Sequence, residues 1–163
     1  MSNTIEHSQI HATFVIERTY PVSVERVWHA LSDNDARDQW FGGGSDFLAR
    51  EESHDFRVGG IGFQDGQWKD GPETKYSSIY TNIVHLQRIV FTYDIWVSGG
   101  HLSTSLVTIA LEPQDNGTRL TYTEQAVHFD GLDSVEGREE GTRGLLDLLG
   151  SFLTPNPEST TAQ

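Results

Sequence analysis

The side chain that asks most of its surroundings is Glu124. It lies in Thr118–Ala126, where Leu120, Tyr122, Glu124 and Ala126 share one face of an alternating strand pattern. A carboxylate on that apolar parity costs several kcal/mol unless it is paired or protonated. Three roles fit it. It could hold a ligand hydroxyl or amine, act as a general base, or meet solvent at a strand end and do nothing. Tyr93 and Tyr122 offer phenol groups on apolar rings, and they serve equally well as core residues with one wet end. Acid–base catalysis needs a second positioned group, and no other inward carboxylate is visible.

Other chemistries find less support. The seven histidines form no His-Glu-x-x-His or His-x-His motif. His54-Asp55 and His128-Phe-Asp130 are the nearest to ligand pairs, so neither a metal nor another cofactor is expected. Gly42-Gly-Gly44 lacks the lysine and following helix of a phosphate loop. Ser103 and Ser105 stand in no nucleophile-elbow sequence. There is no cysteine, which excludes disulfides and thiolate chemistry.

The formal net charge is −13, from 24 acidic and 11 basic side chains. Such a surface repels phosphate backbones and anionic lipid, so nucleic acid and membrane are not expected partners. The N-terminus lacks the pattern of a signal peptide and no run approaches a membrane span, which makes the cytoplasm the expected location. At 163 residues the chain is long enough for one domain with a real core. Residues 1–10 and 154–163 read as flexible tails around a single domain over 11–153.

The elements that must position Glu124 follow from periodicity. His11–Tyr20 reads as a strand. Ser23 caps a helix over Val24–Leu31, whose Val24, Val27, Trp28 and Leu31 fall on one face, and a second short helix spans about Asp35–Phe41. Strands are expected over His54–Val58 and from Ile61 to Trp68, joined at Gly59-Gly60. Four more run over about Lys75–Val84, Arg88–Trp96, Leu102–Leu111 and Thr118–Ala126. The inward parity is Ile89, Phe91, Tyr93 and Ile95 in one, and Val107, Ile109 and Leu111 in the next. A last helix reaches Leu153, with Asp133 as its expected cap and a leucine stripe including Leu145 and Leu149. Gly137, Gly141 and Gly144 share one face of it. Close approach of a strand, a ligand or a second subunit would explain them, and so would a frayed first turn.

The order strand, proline, capped helix with an inward tryptophan, short helix and Trp40-Phe41 resembles the opening of the helix-grip (START-like, Bet v 1-like) superfamily. Within it, the chain resembles the branch named after the activator of Hsp90 ATPase. Asp55–Gly60, Arg88–Tyr93, Gly117–Thr123 and Glu140-Gly141 with the following leucines are similar to later pieces of that pattern. Thr142 departs from it, standing where many relatives carry tryptophan. The resemblance implies an α+β fold: a curved antiparallel sheet wrapped round a long C-terminal helix, with two short helices after strand one.

It also implies a cavity between sheet and helix. Phe91, Tyr93, Ile95, Val107, Ile109, Tyr122 and Glu124 would line it from the strands, and Leu145 and Leu149 from the helix. Trp40, Phe56 and Phe63 would stand at its mouth or in its wall. The same residues could instead fill a solid core. The function expected is binding of a small hydrophobic or aromatic molecule by a monomer or homodimer. Cyclase, dehydratase or hydrolase chemistry in the same space is the alternative, and an Hsp90-type co-chaperone the third reading.

Overall fold

A computed structural model describes residues 6–155. Of the tails expected at 1–10 and 154–163, residues 1–5 and 156–163 lie outside the described residues. Seven strands form one antiparallel sheet: β1 (Gln9–Tyr20), β2 (Phe47–His54), β3 (Ile61–Trp68), β4 (Glu73–Val84), β5 (Arg88–Val97), β6 (Gly100–Gln114) and β7 (Gly117–Phe129), in the order β1-β7-β6-β5-β4-β3-β2. The helices are α1 (Val24–Ser32), α2 (Asn34–Asp38) and α3 (Val135–Leu153). This is the α+β, helix-grip architecture. Register shifts at Ala49/Glu51, Tyr80/Asn82 and Ile95/Trp96 add the local twist that lets the sheet curl.

Local chemistry sets the helix entries. Ser23 accepts from the Arg26 amide at 3.3 Å, and Asp33 accepts from the Ala36 amide at 3.0 Å to start α2. α1 buries Val27, Trp28, Ala30 and Leu31 against the sheet. The Trp40 indole donates to the Ala30 carbonyl at 2.9 Å, which ties the end of α2 back to α1. Helix α3 packs against β1 and α1 through Leu146, Leu149 and Leu153. The Tyr20 hydroxyl donates to the Leu146 carbonyl at 2.8 Å, and Arg26 donates to that of Leu153 at 3.1 Å. The helix is therefore fastened at the β1 side of the sheet.

Three expectations need correction. Strand β1 pairs with β7 from Gln9, two residues earlier than expected, and the Ser8 amide donates to Asp130 at 2.8 Å. The second strand is Phe47–His54, and Asp55–Gly60 is a tight loop. Its Gly60 amide donates to the Arg57 carbonyl at 2.8 Å, and a Cβ at Gly60 would lie 2.0 Å from the Asp55 carbonyl oxygen. β2 is an edge strand with one buried residue, Phe47, so its sequence carries little apolar alternation. Finally, Ser134 caps α3 by accepting from the Gly137 amide at 2.9 Å, and Asp133 is turned to another task.

One half-buried strut joins α2 to the sheet. The His54 ring bonds to Asn34 Oδ1 and to the Tyr80 hydroxyl, each at 2.6 Å. The pairing makes Nδ1 the donor to the amide oxygen and Nε2 the acceptor from the phenol. Burial, helped by the charge of Arg37, lowers the His54 pKa from 6.5 to about 4. The folded protein thus keeps His54 neutral where the unfolded chain binds a proton. Stability present above pH 6.5 is lost as the pH falls toward 4. Melting temperatures measured from pH 7 to pH 5 should fall more steeply for the wild type than for His54→Gln. Parallel slopes would show that His54 contributes nothing to the acid sensitivity.

Candidate functional site

Glu124 is fully buried, and its parity on β7 places it opposite Phe14 of β1 and Val107 of β6. Its partners are all donors. Tyr93 donates to both carboxylate oxygens at 3.0 and 2.9 Å, Ser105 to one at 2.9 Å and Tyr122 to the other at 3.1 Å. The Arg138 guanidinium comes in from α3 at 3.3 Å. An ionised carboxylate accepts from all four, so the cost of burying it is met locally.

Arg138 is held by more than Glu124. It donates to the Tyr93 hydroxyl at 2.9 Å, to Ser103 at 2.7 Å and to Asp133 at 2.7 Å. Burial works against its charge, but Tyr93, Glu124 and Asp133 more than offset this and raise its pKa. Burial, followed by the charge of Glu124, pushes the Tyr93 phenol well above its ordinary range. Tyr122 is likewise raised, chiefly by burial. Both phenols therefore stay protonated and act as donors.

This network forms the deep polar end of a cavity of about 660 Å³ between the sheet and α3. Tyr76, Tyr80, Ile89, Phe91, Tyr93, Ile95 and Ile109 supply the sheet wall, and Tyr122 joins them. Leu31, Trp40 and Phe41 close the α1–α2 side. On α3 the lining is Gly137, Arg138, Gly141, Thr142, Gly144, Leu145, Leu146 and Leu148. A Cβ at Gly141 or Gly144 would meet nothing within 4 Å. These two glycines therefore answer to no close backbone contact within the chain. Both are exposed, and they leave a bare strip of helix at the cavity's edge. A polar cleft of about 340 Å³ adjoins the cavity and shares Arg37, Phe41, Gly42, Gln64 and Tyr76 with it.

The structure distributes the expected site residues over several places. Phe91, Tyr93, Ile95, Ile109, Tyr122, Leu145 and Trp40 line the large cavity. Glu124 sits just behind it, bound to the two tyrosines. Val107 and Leu149 are fully buried in the packed core, so Leu149 stands behind the cavity wall. Phe56 packs edge-on against Trp28 and Tyr80, with centroids at 5.7 and 5.0 Å, and Phe63 faces the polar cleft. Sequence reasoning passed over Tyr76, Asp133 and, above all, Arg138. A signal existed: a cation near the positive end of a helix is unfavourable there, which calls for an acidic partner elsewhere. Among the described residues no group of three His, Cys, Asp or Glu could hold a metal ion, and no helix is long and apolar enough to cross a membrane.

Removing one member of the buried pair leaves the other uncompensated. Arg138→Met should destabilise the fold by about 3–5 kcal/mol. The double change Arg138→Met with Glu124→Gln should recover most of that loss in urea denaturation. A double variant no more stable than the single one would show that the charge on Glu124 is not what Arg138 answers.

Comparison with known proteins fits this geometry. A solved protein from Rhizobium loti is 48% identical, with a TM-score of 0.82, covering 89% of this chain and 99% of its own. One from Rhizobium leguminosarum is 35% identical, with a TM-score of 0.86, covering 93% and 99%. An AHSA1-like protein from Aeromonas hydrophila, at 22% identity and a TM-score of 0.65 over 87% and 92%, shares the fold. No curated protein matches the sequence. Residues 21–154 match the sequence model described as Activator of Hsp90 ATPase homolog 1-like protein. The chain belongs to that family.

Proposed function

We propose that this protein binds a small, largely apolar or aromatic molecule in the cavity between the sheet and α3. The observation that carries the reading is the cavity of about 660 Å³ between the sheet and α3, walled by Tyr76, Tyr80, Phe91, Tyr93 and Tyr122, with the exposed Gly141 and Gly144 on its helix side. Each helical glycine costs about 1 kcal/mol relative to alanine. Both glycines line the cavity, and a long side chain at either would narrow its exposed helix side. Mostly apolar walls with a few convergent polar groups are what a small-molecule site needs.

Binding is favoured over turnover by the state of Glu124. Four donors surround it, and Arg138 is committed to two carboxylates, so neither group is free to move a proton to or from a substrate. The family name refers to Hsp90 ATPase, but a fold carries no function by itself, and the reading here uses the interior. The ATPase rate of an Hsp90 should stay unchanged when this protein is added at equimolar ratio. Clear stimulation would move the function to the surface.

The neutral fluorophore N-phenyl-1-naphthylamine tests the cavity. It should bind one per chain and raise the melting temperature, contributing about 2.7 kcal/mol at a hundredfold excess over Kd. Gly141→Leu should project into the space and weaken binding at least tenfold. The variant should melt no lower than the wild type, because leucine is the better helix former. Undiminished binding by Gly141→Leu, or no compound-induced shift in the wild type, would refute the reading.

A further inference from the structure

Arg37 lines both the large cavity and the adjoining polar cleft. It is partly buried, and its guanidinium lies 3.8 Å from the centroid of the Phe41 ring. The chain has nine arginines. Among the described residues the other eight each donate to a carboxylate, an amide oxygen or a backbone carbonyl. Arg37 has no such acceptor. Lys75 is likewise held only against aromatic rings, but neither it nor Lys69 lines the cavity or the cleft, so Arg37 is the unanswered cation at this space. Stacking on Phe41 fixes the plane of the guanidinium but leaves its N–H groups unused.

We infer that the cavity's ligand carries a single carboxylate and that Arg37 receives it while the apolar body lies along Gly141 and Gly144. This rests on the binding reading above and adds the chemical class of the ligand. The two ends of the space differ in charge. At the deep end one arginine faces two carboxylates, Glu124 and Asp133, which repels an anion. At the α2 end Arg37 is unanswered, and its charge reaches His54, Tyr76 and Tyr80, where after burial it is the next influence on the pKa. A planar carboxylate matches the guanidinium fork. Asp38 and Glu52 line the polar cleft beyond, so a dianionic phosphate or phosphonate would meet more repulsion than a carboxylate carrying one charge.

Calorimetric titration with 2-naphthylacetic acid, its neutral amide and naphthylmethylphosphonate tests this. The acid should bind the wild type about tenfold tighter than the amide, and the phosphonate more weakly than the acid. Raising the salt concentration should shrink the preference for the acid. In Arg37→Met the ratio of acid to amide affinity should fall to about one, and in Arg37→Lys part of it should return. Circular dichroism establishes that both variants are folded. Equal binding of acid and amide by the wild type would overturn the role of Arg37 and leave the cavity reading standing. A preference that survives in folded Arg37→Met would do the same, and a tighter phosphonate would overturn the carboxylate class. Failure of amide and N-phenyl-1-naphthylamine alike would remove the cavity reading and this inference with it.

Discussion

A fully buried carboxylate has to be answered by donors, and the deep end of this molecule is arranged around that demand. Glu124 draws Tyr93 from β5, Ser105 from β6, Tyr122 from its own strand and Arg138 from α3. Asp133 joins on the far side of Arg138, which is why it is unavailable as a helix cap and Ser134 takes that place. Three strands and the long helix are thus fixed to one another by a single buried carboxylate. A buried pair of this kind is weak evidence for stability in itself. Its contribution here is to position α3 over the sheet.

That positioning explains how a cavity coexists with a well-packed core. α3 is anchored through Leu146, Leu149 and Leu153 at the β1 and α1 side, and through Arg138 at its start. Between these anchors Gly141 and Gly144 line the cavity at the exposed side of the helix and carry no side chain to fill it. Interiors normally close to high packing density. Here Leu146, Leu149 and Leu153 pack one side, while Gly141 and Gly144 share the lining of the cavity with Tyr76, Phe91 and Tyr93. The two faces of one helix therefore separate core from cavity.

Much of this was legible in the chain because it is local. The Ser23 cap and the spacing of Val27, Trp28 and Leu31 define α1 without reference to anything distant. Strict alternation in β7 was enough to turn Glu124 inward. β2 escaped notice because an edge strand with charged residues on both faces shows no period, and the Gly59-Gly60 pair drew attention to a loop. Arg138 escaped because its strand partners Glu124, Ser103 and Tyr93 lie 14 to 45 positions away in sequence, brought close only by the curled sheet. The glycines posed a question that periodicity could raise, but only the space facing them suggests an answer. Leu149 shows the opposite error, since an apolar stripe does not reveal which of its leucines borders a cavity and which borders the core.

The central claim is that the space beneath α3 is a binding site. Two-dimensional NMR of labelled protein with a neutral aromatic probe tests it most directly. The account predicts that the amides of Gly141 and Gly144 shift on titration, and that the probe shows nuclear Overhauser contacts to the rings of Tyr76 and Phe91. Shifts confined to the outer face of the sheet, around the exposed Ile61 and Ile79, would contradict it.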